Sequence, residues 1–249
     1  MESAGKSLEE QLRDGLVAKR AEESYRMMQE PDYQRHSREC LVDIIRSVGV
    51  GLGHGKKVGK ADKLEQDLSS VLYGMIFKNP GALRKISLDA ARQHYFSRDE
   101  MKAHLEGLYV QAEQAGISPK VVARLREEGE SKVVAVADIR ARVFAGLLEM
   151  AQTQGLQYAL TDEAESEAMR AVFPTREQYL ASQEYAAQTV KDYFDRFQAM
   201  MLKERKIGKQ MAGMIGGSKA AVDKFSDDVI REIVLRRADK IYGSTPKRK

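Results

Sequence analysis

Tryptophan is missing from this 249-residue chain, cysteine occurs once, at position 40, and proline only five times. Aromatic residues make up 7%. Sandwiches and propellers build their cores from aromatic and β-branched strands, so this shortage points away from them. A single thiol excludes an internal disulfide and any cysteine-rich zinc site, and it fits a reducing compartment. Few prolines leave few forced helix breaks. No apolar run approaches the length of a bilayer-spanning helix. The opening residues Met1–Gly15 are polar and acidic and carry no apolar signal-peptide core. A soluble, cytoplasmic protein is expected, although a specialised secretion route would leave the same sequence.

What is present favours helix. Apolar residues reach 43% and charged residues 31%, dominated by Ala, Glu, Gln, Arg, Lys, Leu and Met, all good helix formers. The formal charge of +4 and pI of about 9.0 are mildly basic. Spread over the chain, that excess names no partner, so its distribution matters more than its sum.

Taken in order, the periodicity predicts an all-α, irregular multi-helix bundle that ends in a long C-terminal helical hairpin. Ser7-x-x-Glu10 is a capping box, and Leu8, Leu12 and Leu16 follow it toward Pro31. Residues 1–30 therefore read as an N-terminal arm, and 31–160 as a helical body. Within that body Leu41, Ile44, Ile45 and Val48 mark one apolar stripe, and Leu64, Leu68, Val71, Leu72, Met75 and Ile76 mark another. A shorter helical pair is expected around Leu83–Ile86 and Leu88–Tyr95. Ser97-x-x-Glu100 opens a further helix, and Ser118-Pro119 a short one that closes near Gly129. The stretch Lys132–Ala137 is rich in valine and competes as a strand, but its apolar pattern runs on helically to Gly155. The span 161–243 reads as an acidic joint, Thr161–Glu167, followed by the hairpin. A third capping box, Thr175-x-x-Gln178, starts its first arm. Unbroken to Ser218, that arm would approach roughly 60 Å, so it projects or breaks near Gly208 or Gly213. Gly216-Gly217-Ser218 is expected to turn the chain into the return arm, which ends at Gly243 before the basic tail 244–249.

The chemistry-bearing patterns fail one by one. A P-loop needs Gly-x-x-x-x-Gly-Lys followed by Ser or Thr. Here Gly55-Lys56 is followed by Lys57, and position 50 is valine. The loop 49–60, with five glycines in a dozen residues, still offers backbone amides with Lys56, Lys57 and Lys60 to a phosphate or a nucleic-acid backbone. The four histidines, at 36, 54, 94 and 104, form no His-x-x-x-His pair and read as solvated or hydrogen-bonded surface groups. Cys40 lies on an apolar stripe and reads as a packing thiol. Gly-x-Ser-x-Gly and the Glu-x-x-His pairs of di-iron bundles are absent. No catalytic, metal or cofactor-binding set is legible.

Two clusters remain. Lys203, Arg205, Lys206 and Lys209, echoed by Arg231, Arg236, Arg237 and Lys240, form either a basic patch or a solvated helix face. Met200, Met201, Met211 and Met214, near softening glycines, form either core or a repacking surface for a partner. The sequence thus supports a non-catalytic helical interaction protein, an adaptor, scaffold or subunit that docks other protein subunits. The alternative is nucleic-acid or phosphate binding through loop 49–60 and the C-terminal basic cluster.

Overall fold

The structure is a computed structural model and describes residues 5–51, 63–204 and 209–243. Among the described residues run ten α-helices and no strand: α1 (Leu8–Met28), α2 (Pro31–Gly51), α3 (Lys63–Phe77), α4 (Pro80–His94), α5 (Arg98–Gln114), α6 (Pro119–Gln154), α7 (Leu156–Ala159), α8 (Asp162–Val172), α9 (Arg176–Glu204) and α10 (Lys209–Tyr242). The fold is all-α, and the valine-rich 132–137 lies inside α6.

All three predicted capping boxes form. The Ser7 amide donates to Glu10 Oε2 at 2.7 Å while the Glu10 amide donates to Ser7 Oγ at 3.2 Å. Ser97 and Glu100 repeat the pattern at 2.7 and 3.2 Å, and Thr175 and Gln178 at 3.3 and 3.2 Å. Each box satisfies two amides that a helix start leaves without a partner.

Three expected breaks do not occur. The helical pair near residue 86 is one helix, α4; Ser87, at its middle, is fully buried and its hydroxyl reaches Met28 Sδ at 3.8 Å. The short helix that was to close near Gly129 continues as the 36-residue α6. Gly216-Gly217-Ser218 does not turn the chain, because α10 runs through it; the change from α9 to α10 falls at 205–208, outside the described residues.

The chain packs as two compact units. Unit 1 comprises Met1–Arg20, Asp89–Arg205 and Val234–Lys249; unit 2 comprises Ala21–Leu88 and Lys206–Ile233.

In unit 1, α6 packs against α5, α7, α8 and α9. One core gathers Leu12, Leu16, Leu147, Met169, Phe173, Tyr179 and Ile241, with Ala159, Ala164, Ala168 and Ala238 where backbones come close. The start of α9 meets the end of α10 here. Arg176 Nη2 bonds Asp239 Oδ1 at 2.9 Å, and the Tyr179 and Tyr242 rings lie 6.0 Å apart. A second core joins Leu105, Tyr109, Val122, Leu125, Val134 and Tyr193. At its centre the Tyr109 and Tyr193 hydroxyls are 2.8 Å apart, each 3.3 Å from the Leu125 carbonyl. Burial holds both phenols above their ordinary range. Gly129 explains why α6 survives its glycine: a Cβ there would lie 2.9 Å from Tyr193 Oη and closer still to Tyr109 Oη. The residue is present for clearance, not for a turn.

In unit 2, α2 packs on α3. Tyr33 meets Phe77 and Phe225 edge-on at 6.3 and 5.5 Å, and Tyr73 stacks on Phe77 at 4.7 Å. The early part of α10 approaches α2 closely. A Cβ on Gly217 would lie 2.7 Å from Ser47 Oγ, and the Cys40 thiol faces the Ala221 carbonyl at 3.5 Å. Burial pushes the Cys40 thiol up, as suits a packing group.

Gly129→Ala separates two opposed effects. Helix propensity alone would stabilise the protein by about 1 kcal/mol, whereas crowding two buried phenols costs about 1–3 kcal/mol. Urea denaturation is expected to show a net loss of stability. A gain would mean that the close approach is not what keeps glycine there.

Candidate functional site

Lys56, Lys57, Lys60, Arg205 and Lys206 lie outside the described residues, and so does the side chain of Lys209, whose backbone opens α10. Lys203 is exposed in the last turn of α9. Of the echoing group, Arg237 pairs with Glu165, and Lys240 with Asp162 at 2.7 Å. Lys19 closes the same network at 2.6 Å from Asp162 and 3.4 Å from Glu165. Hydrogen bonds from Lys19 and Lys240 hold the Asp162 carboxyl down at about 2. Two carboxylates of the acidic run, Asp162 and Glu165, are thus paired inside unit 1, on the first turn of α8, whose N-cap Thr161 accepts the Ala164 amide at 3.2 Å.

The methionines divide between the two units, Met200 in unit 1 and Met211 and Met214 in unit 2. Met200 is half-buried against the second core of unit 1, Met214 is half-buried, and Met211 is 55% exposed. The Met201 side chain lies outside the described residues. The other exposed apolar residues of α10, Val222 and Ile230 in unit 2 and Leu235 in unit 1, stand at spacings that no single helix face can hold.

A coherent apolar surface lies instead on α3. Leu68 (45% exposed), Val71 (60%), Leu72 (38%) and Met75 (68%) face water, and their i, i+3, i+4, i+7 spacing makes them one stripe. The helix is held by another face: Ser69 and Tyr73 are buried, Phe77 stacks on Tyr73, and Glu65 meets Arg46 Nε at 3.3 Å. The cation of Arg38 sits 4.4 Å from the Tyr73 ring centroid. Periodicity correctly gives the helix. Four residues of its stripe face water, and the side chains of the other two, Leu64 and Ile76, lie outside the described residues. Asp67 and Lys78, both exposed, stand along one flank of the stripe near its two ends.

A groove of about 310 Å3 runs between α5 and α6, lined by Leu105, Tyr109, Val134 and two ion pairs. Lys102 meets Glu130 at 2.5 Å, and Arg126 meets Glu106 through two bonds at 2.7 and 2.9 Å. Each of these four charges is neutralised across the groove, which leaves no charged group there poised for chemistry. Among the described residues no three His, Cys, Asp or Glu side chains are grouped to hold a metal, and no helix is long and apolar enough to cross a membrane.

His94 departs from the surface role expected of it. It is half-buried at the end of α4, with its ring edge-on to Tyr95 at 4.9 Å. Burial, reinforced by the charges of Arg20, Arg140 and Arg237, holds the imidazole well below its ordinary range. The folded protein therefore keeps His94 neutral where an unfolded chain takes up a proton, at about pH 6.5. Stability should be unaffected above that pH and should fall below it, because the unfolded state binds the additional proton. Urea midpoints of the native protein and His94→Gln between pH 7.5 and 5.5 test this. The native protein should lose more, approaching the one-proton limit of about 1.4 kcal/mol per pH unit. Parallel curves would show that His94 is not the group responsible.

Comparison with protein-family models, curated proteins and solved structures finds no match to this chain.

Proposed function

We propose that this chain works as a helical protein-interaction protein, a subunit of a larger assembly, and that it docks through the α3 stripe of Leu68, Val71, Leu72 and Met75. The observation that supports this is the orientation of α3: its most apolar face lies in water while a mixed polar and aromatic face anchors it. Exposing such a stripe is unfavourable by roughly 25 cal/mol for each Å2 of apolar surface, and a packed partner removes that cost. Contiguous exposed apolar surface is the usual mark of an interaction site.

The occupant is a second copy of α3, laid antiparallel. The stripe inverts onto itself about the midpoint between Val71 and Leu72, so Leu68 of one copy meets Met75 of the other. That arrangement also brings Asp67 of one copy toward Lys78 of its mate, twice over, on the rim where charges set partner and orientation. A parallel pair would separate these charges across the seam. The interface is isologous, as in most soluble dimers.

Light scattering over a concentration series tests the reading. The native chain should rise from 28.0 kDa toward twice that mass, while Val71→Glu and Met75→Glu should stay monomeric. Asp67→Lys should weaken association, and the double exchange Asp67→Lys with Lys78→Asp should restore it. A native chain that stays monomeric at every concentration would reject self-docking, even if another protein were captured on the same residues.

A further inference from the structure

The two units distribute their apolar residues differently. Unit 1 closes two cores of buried aliphatic and aromatic side chains. Among the described residues, the apolar side chains buried in unit 2 are Tyr73 on α3, Leu83 on α4 and Ala221 on α10. Beside them its interior holds three serines, Ser37, Ser69 and Ser87. Ser37 Oγ donates to the Tyr33 carbonyl at 2.8 Å and Ser69 Oγ to the Gln66 carbonyl at 2.8 Å, while Ser87 Oγ reaches Met28 Sδ at 3.8 Å. The first two bonds satisfy their hydroxyls without tying one helix to another.

The apolar side chains of unit 2 lie largely in contact with water. On α2, Leu41, Ile44, Ile45 and Val48 are half-buried. The rings of Tyr33, Phe77 and Phe225 meet, yet they are half-buried too. Of the twelve large apolar side chains that face water among the described residues, eight belong to unit 2: four on α3, Ile86 on α4, and Met211, Val222 and Ile230 on α10. Unit 1, the larger, shows Val110, Tyr185, Phe194 and Leu235.

Ordering a segment costs conformational entropy whatever it buries, and apolar surface removed from water is the main term that offsets it. Half-buried aliphatic residues offset it incompletely, and regions of that kind open well below the limit set by global unfolding. The stripe on α3 is the largest exposed group, and α2 packs directly on α3. Covering Leu68, Val71, Leu72 and Met75 therefore acts on both helices, because a partner that binds only the closed form stabilises that form by mass action. Given self-docking through this stripe, on which the conclusion rests, we infer that unit 2 depends for its stability on the second copy of the chain. The antiparallel α3 pair holds α2 and α3 closed. In the separated monomer these two helices open while unit 1 remains folded.

Hydrogen exchange of the full chain, followed by mass spectrometry on peptides from α2, α3 and α6, tests the coupling. The native protein is measured well above and well below the dissociation constant found by light scattering, with Val71→Glu and Met75→Glu as monomer references. Both positions face water, so neither substitution disturbs the interior. In the monomer, α2 and α3 should exchange about a hundredfold faster than α6 or more. Association should slow them about tenfold once free monomer exceeds the dissociation constant several-fold, and both variants should keep the fast rate at every concentration. A chain that dimerises while α2 and α3 are as protected as α6 in the monomer, or while their exchange ignores concentration, would overturn the coupling and leave self-docking intact. A chain that stays monomeric would reject self-docking, and the coupling with it.

Discussion

The packing of unit 1 depends on α6 staying helical through Gly129. That helix touches α5, α7, α8 and α9, and a break at 129 would divide the surface against which they assemble. It holds because the missing side chain is replaced by something: the Tyr109 and Tyr193 hydroxyls occupy the space a Cβ would take and lie against the Leu125 carbonyl one turn earlier. Glycine weakens a helix by exposing backbone and adding unfolded-state freedom. Here the exposed backbone is covered by two rings. The two phenols also satisfy each other, so neither buries an unpaired hydroxyl.

The same principle governs unit 2, where Gly217 admits Ser47 of α2 rather than turning the chain. From sequence, Gly129 and Gly217 look like punctuation, because the local rule counts only propensity. Whether a glycine breaks a helix or lets a neighbour approach is decided by residues distant in sequence: Tyr109 and Tyr193 in one case, Ser47 in the other. Helix starts are different. Ser7, Ser97 and Thr175 cap through partners three residues away, so everything needed to identify them lies within one turn. All-α character and the capped starts at Leu8, Arg98 and Arg176 were therefore legible, whereas the continuity of α4, α6 and α10 was not.

Amphipathicity has a similar limit. The spacing of Leu68, Val71, Leu72 and Met75 establishes that these side chains share a face, and helical geometry allows no other arrangement. It does not establish what the face meets. On α3 the inward face is chosen by particular contacts, the Tyr73–Phe77 stack and the Arg46–Glu65 pair, which outweigh the simple rule that the oiliest stripe goes inside. An apolar stripe displaced from the core in this way has more to gain from a partner than an ordinary core face has. The methionines read as either core or a repacking surface, and Met200 packs, half-buried, against the core around Tyr193.

Buried charge in unit 1 is handled in two ways, and the contrast gives each its meaning. Around α8 the three cations Lys19, Arg237 and Lys240 share the two carboxylates of Asp162 and Glu165, a network in which every charge lies beside one of opposite sign. Arg20, one residue beyond Lys19 on α1, stays outside that network, and its Nη1 is shut off from water with no hydrogen-bond partner. No sequence motif marks Arg20, and an isolated arginine in a helix ordinarily reads as a solvated one. A guanidinium nitrogen buried without a partner loses its hydration and gains nothing in return. Stability alone would be better served by an apolar side chain at position 20.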